Sequence, residues 1–126
     1  MTTDLEKLAR RGAACPKWKW LGGMQIVHTP EHDGDTGCLM RLPQDGYVPA
    51  DNEYADLADP VTVGCLLVLV REAWGHTTLA STYSEYVDRD EWSVMPRVTE
   101  DRMTTFVSFR GATEAEALIA ALEAAP

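Results

Sequence analysis

The sequence is poor in cysteine and has no long uninterrupted apolar run. Its three cysteines, an odd number, do not make a disulfide framework, which favours a reducing compartment over a secreted setting. The longest apolar stretch, residues 61–70, is interrupted by Thr62 and Gly64 and is too short to span a bilayer. The first residues carry no basic segment followed by an apolar one, so we expect no signal peptide.

Basic residues are also scarce. Eleven Lys and Arg stand against 20 Asp and Glu, which leaves a net charge of −9. Binding to phosphates uses clustered cations, so this balance argues against direct binding to nucleic acid or to an anionic membrane and favours a basic protein partner. Lysines alternate with tryptophans over residues 17–20, a pattern that single-strand binding could use. We interpret this pattern as a strand with one solvent-exposed face.

Helix start and stop signals occur three times in the chain. Capping residues open each predicted helix, and glycines end the first two, at Gly12 and Gly75. The signals are Thr3 with Glu6, Asp59-Pro60 with Gly75, and Thr113 with Glu116. With 126 residues, of which 45% are hydrophobic, the sequence predicts one domain, 1–126, with three helices.

Strand patterns fill much of the remaining sequence. We expect strands over residues 17–21, 24–28 and 38–42, and a strand or irregular edge over residues 77–83. Residues 92–95 and 103–109 suit a hairpin around a turn at 99–102, with Met103, Thr105, Val107 and Phe109 facing a core. Pro96 indicates that the first of these strands lies at an edge or carries a bulge. The sequence therefore predicts an α+β fold: an antiparallel sheet of about four to six strands with helices packed on it, in the order α-β-β-α-β-β-α.

Four segments together resemble small accessory proteins of tailed bacteriophages. They are Arg10-Arg11-Gly12 leading to Trp18-Lys19-Trp20-Leu21-Gly22-Gly23-Met24, then residues 57–67, residues 71–75 and residues 111–118. These segments are similar to the phage ABA-sandwich group, in which helices flank a sheet and most members have no assigned activity. The resemblance implies a phage or prophage origin and the cytoplasm of a bacterial host, and it supplies no catalytic signature.

A structural zinc site is the most specific alternative to a protein that binds no metal. Cys15, His28, His32 and Cys38 offer four donors of the types that zinc prefers. The spacing of the two histidines matches half of a zinc finger, but the paired cysteines that a finger needs are missing. We therefore expect no metal and no cofactor, with a zinc-stabilised domain kept as an alternative.

Catalysis requires a complete constellation of groups, and none can be assembled from the sequence. Cys38 near His28 across a hairpin could form a nucleophile and its base, but no third group has a defined place. There is no phosphate-binding loop, no dinucleotide fingerprint and no nucleophile elbow. We expect a protein that is not an enzyme.

Two acidic segments contain aromatic residues, which is typical of protein interfaces. Carboxylates steer a basic partner, whereas Tyr and Trp anchor it. The first acidic cluster comprises Asp51, Glu53, Tyr54 and Asp56. The second acidic cluster comprises Glu85, Tyr86, Asp88, Asp90, Glu91 and Trp92. The competing interpretation for each is an ordinary solvated loop.

The sequence thus predicts a non-enzymatic, acidic, phage-encoded module that binds protein. Its expected partner is a basic host protein or a nucleic-acid-handling or defence complex, which it would inhibit as anti-CRISPR and DNA-mimic proteins do, with carboxylates where phosphates would sit. The alternatives are a self-associating virion or assembly accessory protein, for example a homodimer, and the Cys/His zinc-stabilised domain.

Overall fold

A computed structural model of the chain describes residues 3–28, 38–85 and 90–126, without the side chains of Cys38 and Asp90. It confirms the α+β class, with three helices and small antiparallel sheets. The chain divides into two compact units, Met1–Cys65 and Leu66–Pro126, and the boundary falls within the central helix. The single domain expected from length stays a prediction.

The first unit contains helix α1 and a three-stranded sheet. The helix α1 spans Asp4–Ala13, and the sheet has the order β2-β1-β3, with β1 at Gln25–His28, β2 at Cys38–Arg41 and β3 at Glu53–Ala55. Ile26 lies opposite Met40 on one side and Ala55 on the other. Ile26 and Ala55 are buried, and α1 packs on β3. Strand β3 is an edge strand of this sheet and contains Glu53 and Tyr54 of the first acidic cluster.

Helix α2 spans Pro60–Trp74, as the sequence predicts. Asp59 is its N-cap, because the Asp59 Oδ2 atom accepts a hydrogen bond from the backbone N–H of Thr62 at 3.0 Å. Proline suits the first helical position, where an N–H would find no partner in the helix. Gly75 follows the helix with a φ of 63°, a conformation that glycine adopts without strain.

The second unit contains a three-stranded sheet covered by helix α3. The sheet has the order β4-β5-β8, with β4 at Ser81–Glu85, β5 at Asp90–Val94 and β8 at Phe109–Gly111, and α3 spans Glu114–Ala124. The Thr113 hydroxyl accepts from the Glu116 N–H at 3.2 Å, which confirms the predicted cap. Leu118, Ile119 and Leu122 are fully buried, so α3 supplies much of the core of this unit.

A separate two-stranded sheet completes the second unit. It consists of β6 at Arg97–Glu100 and β7 at Met103–Phe106, joined by Asp101 and Arg102, whose φ values are 50° and 65°. Positive φ at both central residues is typical of a type I′ turn, which matches the twist of a tight hairpin. The predicted hairpin of 92–95 with 103–109 is therefore wrong over 103–107, which pair with β6 or lie beyond it, whereas Val94 pairs with Phe109 at the end of the predicted strand. Met103, Thr105 and Val107 are exposed rather than facing a core.

Other strand predictions also differ from the structure. Residues 17–21 form no strand; Trp18 and Trp20 instead contact each other edge to face, with ring centroids 5.2 Å apart. Strand β3 lies where the sequence predicts no strand, and β5 is a central strand rather than an edge. The single sheet of four to six strands and the predicted element order are not confirmed, since the described strands form sheets of three, three and two. No helix in the described ranges combines the length and the apolar character needed to cross a bilayer.

Candidate partner-binding surfaces

The first acidic cluster is built around strand β3. Neighbouring residues of a strand point to opposite faces, so the side chains of Glu53 and Tyr54 diverge. Glu53 Oε1 accepts from the Ala50 N–H at 2.7 Å, and Glu53 Oε2 lies 3.6 Å from Nδ1 of His28. Both oxygens of the Glu53 carboxylate therefore have polar partners within the first unit.

A cation lies among the residues of the first acidic cluster. The Arg10 guanidinium stands 5.6 Å from the centroid of the Tyr54 ring and donates to the backbone oxygen of Asp51 at 3.0 Å. It also pairs with Glu6 at 3.1 Å. Burial raises the pKa of the Tyr54 phenol, with the carboxylates of Glu6 and Asp56 adding to the effect. A basic partner would meet a local positive charge at this surface.

Asp56 is likewise engaged within the first unit. Its Oδ2 atom accepts from Nε2 of Gln25 at 2.7 Å, and its Oδ1 atom accepts from the Ala58 N–H at 3.1 Å. Asp51 is the exposed acid of this cluster. The structure thus brings the four predicted residues to one region but directs two of the three carboxylates inward to polar partners.

The second acidic cluster lies on the hairpin of β4 and β5. The ladder pairs Glu85 directly with Asp90, and Ser84 with Glu91. Tyr86 and Asp88 lie outside the described residues. Two acidic residues at opposite positions destabilise an antiparallel ladder, because like charges repel across the strands. The last described pair of this hairpin is therefore a ladder position occupied by two acidic residues.

Trp92 and Glu91 are neighbours on β5, so their side chains point to opposite faces of the sheet. The Trp92 ring contacts Tyr83 at a centroid distance of 5.2 Å, and Tyr83 is 44% exposed. Glu91 lies 3.9 Å from Arg110, and its side chain is only 15% exposed. The structure therefore divides the predicted cluster between an aromatic face and a polar face.

The proposed zinc ligands are only partly described. His32 lies outside the described residues, as does the side chain of Cys38. The Nε2 atom of His28 is 3.3 Å from Nδ2 of Asn52, and Cys38 is the residue opposite His28 in the ladder. Within residues 3–28, 38–85 and 90–126, no three His, Cys, Asp or Glu side chains are grouped to hold a metal ion. The zinc alternative stays a hypothesis.

A polar network that the sequence did not indicate joins β1, β2 and the start of α2. Arg41 pairs with Asp59 at 3.0 Å and donates to the backbone oxygen of Gly23 at 2.6 Å. The Thr62 hydroxyl donates to Asp59 at 2.9 Å and accepts from the Gln25 N–H at 2.8 Å. The hydrogen bond from Arg41 lowers the pKa of the Asp59 carboxyl below its ordinary value. This network holds the sheet of the first unit to the helix start.

No family model matches the sequence, and searches of curated proteins and of solved structures found no significant match. The resemblance to phage ABA-sandwich proteins therefore stays a prediction carried by the segments quoted for it.

Proposed function

We propose that the protein is a non-enzymatic module that binds a basic surface of another protein through the second acidic cluster. The pairing of Glu85 with Asp90 is the observation that supports this choice. Two acids opposite each other at the last described pair destabilise the ladder in isolation, and a Lys or Arg of a partner would remove that cost on binding. The free hairpin would then be less stable than one without opposed acids, and its affinity for a basic partner would be higher.

The aromatic pair beside these acids supplies an anchor for the same partner. Tyr83 and Trp92 contact each other on one face of the β4–β5 hairpin, and Tyr83 is partly exposed. Carboxylates raise the rate of encounter and fix the register of a complex, whereas buried aromatic groups contribute most of its free energy. A basic groove with an apolar rim is the surface that fits this arrangement.

The first acidic cluster is a weaker choice for docking. Glu53 and Asp56 already accept hydrogen bonds within their unit, and Arg10 lies over Tyr54. Removing these carboxylates from their partners would leave polar groups unsatisfied. We assign this cluster a structural role, with Asp51 free to contribute only long-range attraction.

The proposed biological setting is the cytoplasm of a bacterial host, where the protein competes with nucleic acid for a basic groove of a nucleic-acid-handling or defence complex. This part of the proposal rests on the sequence resemblance and on the net charge of −9. Competition requires the carboxylates to occupy phosphate positions, and its strength should fall with ionic strength because exposed charges are screened within about 10 Å at 0.1 M salt.

Affinity capture from a bacterial lysate tests the proposal. The baits are the wild-type chain, the variant E85Q/D90N and the control E100Q/D101N, which removes the same formal charge from exposed residues elsewhere. We expect a basic protein to be retained by the wild type and by the control, to be lost with E85Q/D90N, and to elute at high salt. Equal retention by all three baits would exclude the second acidic cluster.

Self-association is the second candidate function, and a specific observation favours it. The strand β7 presents an uncharged, exposed edge.

A further inference from the structure

The β6–β7 hairpin stands apart from the other two sheets. Its strands pair only with each other among the described residues, and the bond from the Val107 N–H to the Pro96 oxygen, 3.0 Å long, extends the ladder by one step. Every residue from 99 to 108 is exposed. An isolated two-stranded sheet is only marginally stable in water, so this hairpin gains from a further strand.

The two edges of this hairpin differ in chemistry. The strand β6 carries Arg97 and Glu100, whereas β7 contains only uncharged residues. Charged side chains are a common protection of an edge strand against pairing with another chain. The exposed fractions on β7 are large, at 69% for Met103 and 63% for Phe106. By this criterion β6 is protected and β7 is open.

The register shows which backbone groups of β7 are available. Thr105 lies opposite Val98, and Val107 bonds to Pro96, so Met103, Thr105 and Val107 direct their backbone groups towards β6. Hydrogen-bonding directions alternate along a strand. The N–H and C=O groups of Thr104 and Phe106 therefore face the open edge.

We propose that β7 pairs antiparallel with β7 of a second copy of this chain, forming a four-stranded sheet across a twofold axis. Such an axis is perpendicular to the sheet, so one residue must lie opposite itself. Centring the pair on Thr105 places Thr104 opposite Phe106 of the second copy and uses all the backbone groups that face the edge. It also places Met103 opposite Val107, two apolar side chains that are exposed in the single chain.

The charge of the hairpin favours a second copy as the occupant. Arg97 and Arg102 balance Glu100 and Asp101 on β6 and its turn, although the whole chain carries −9. Two copies can approach through this balanced segment with less repulsion than through the acidic surfaces. A basic partner, by contrast, finds no surplus of carboxylates here. This inference deepens the self-association candidate and is independent of docking through the second acidic cluster, because it uses neither acidic cluster.

Sedimentation velocity over a range of concentrations tests the inference, with three variants at exposed positions. Thr99 is the cross-strand partner of Thr104 and lies on the β6 edge, so Thr99→Glu is a control for charge on the same hairpin. The variant T104E/F106E places like charges opposite each other in the proposed dimer. The variant T104K/F106E places opposite charges there. Because Phe106 lies opposite Arg97 within the hairpin, both variants put the same carboxylate opposite Arg97, and a difference between them reports the register centred on Thr105.

For the wild type we expect a weak dimer, with a Kd on the order of 100 µM, because an interface of two short strands is small. The control T99E should associate nearly as well, T104E/F106E should associate about tenfold more weakly, and T104K/F106E should recover most of the loss. Amide exchange at Thr104 and Phe106 should slow as concentration rises. A wild-type chain that stays monomeric to about 1 mM, or equal losses with T99E and T104E/F106E, would overturn the proposal. Dimers of T104E/F106E and T104K/F106E of equal strength would overturn the register.

Discussion

Arg41 and Asp59 form an ion pair, with Nη1 3.0 Å from Oδ2, that ties strand β2 to the first turn of helix α2. The same carboxylate caps the helix through the Thr62 N–H. The Asp59 side chain thus contacts both strand β2 and the first turn of helix α2. The substitution series at this position separates the two contributions.

Asp59→Ala should lower the free energy of unfolding by about 1 kcal/mol through loss of the N-cap. Asp59→Asn keeps a good capping residue and removes only the charge opposite Arg41, so it should cost less than the alanine variant. Urea denaturation at neutral pH provides the measurement. Equal costs for the two variants would show that the cap contributes nothing beyond the ion pair.

The dependence of the free energy of unfolding on acid pH tests the same carboxylate, that of Asp59. The folded-state pKa of Asp59 lies below its ordinary value, so the folded protein binds fewer protons than the unfolded chain. The contribution of the ion pair is complete above the ordinary pKa of aspartate and is lost as the pH falls below it towards the lowered pKa. The wild type should lose stability over that range more steeply than Asp59→Asn. Parallel curves would contradict the assignment.

Thr62 is the buried polar residue of the described chain, with no exposed surface, and its hydroxyl accepts the Gln25 N–H at 2.8 Å. Thr62→Val has nearly the same shape and leaves that N–H without an acceptor, so we expect a loss of about 1–3 kcal/mol in the free energy of unfolding. Thr62→Ser keeps the hydroxyl and should cost clearly less. A serine variant as unstable as the valine variant would show that packing, rather than the hydrogen bond, is responsible.

Much of the helical structure could be predicted from local signals. Thr3, Asp59 and Thr113 mark helix starts because each supplies a side-chain oxygen to an N–H three residues further on. Gly12, expected to end α1, is instead buried inside the helix, which continues to Ala13. Local capping chemistry fixes where a helix starts more firmly than a single glycine fixes where it stops.

The strands were harder to predict, because pairing depends on residues distant in sequence. Strand β5 reads as half of a hairpin with residues 103–109, yet the next turn, Asp101-Arg102, closes a separate pair. Residues 17–21 alternate like a strand, but Trp18 and Trp20 pack on each other instead. Of the candidate surfaces, composition identified both acidic clusters. It could not reveal that Glu53 and Asp56 are engaged internally or that Glu85 opposes Asp90.

Close packing at Gly111 limits substitution in the second unit. A Cβ atom there would lie 2.5 Å from Cβ of Glu116 and 2.9 Å from the backbone nitrogen of Ala117. Gly111→Ala should therefore cost about 1–3 kcal/mol, because β8 or α3 must shift. Gly64→Ala is the matched control: no atom lies within 4 Å of its added Cβ, and alanine should stabilise α2 by about 0.5–1 kcal/mol. Thermal unfolding of both variants should give changes of opposite sign; changes of the same sign would contradict the packing at Gly111.

The opposed acids at Glu85 and Asp90 should have a measurable cost in the free protein. Glu85→Gln removes one charge of the pair and should raise the free energy of unfolding by about 0.2–1 kcal/mol at low salt, with a smaller gain at high salt. Glu100→Gln is the control, since Glu100 lies opposite Met103 in its ladder. The account requires the first variant to gain more stability than the second. If denaturation shows no gain for Glu85→Gln, the two acids do not repel each other.

The most direct test of the proposed function is a binding titration with a short fluorescent oligolysine peptide as a model of a basic partner surface. Fluorescence anisotropy would compare the wild type with E85Q/D90N and with the control E100Q/D101N at low and high salt. We predict that the wild type and the control bind with similar affinity, that E85Q/D90N binds several-fold more weakly, and that the difference shrinks as salt is added. Equal weakening in both double variants would show that only net charge matters, and it would contradict docking through the second acidic cluster.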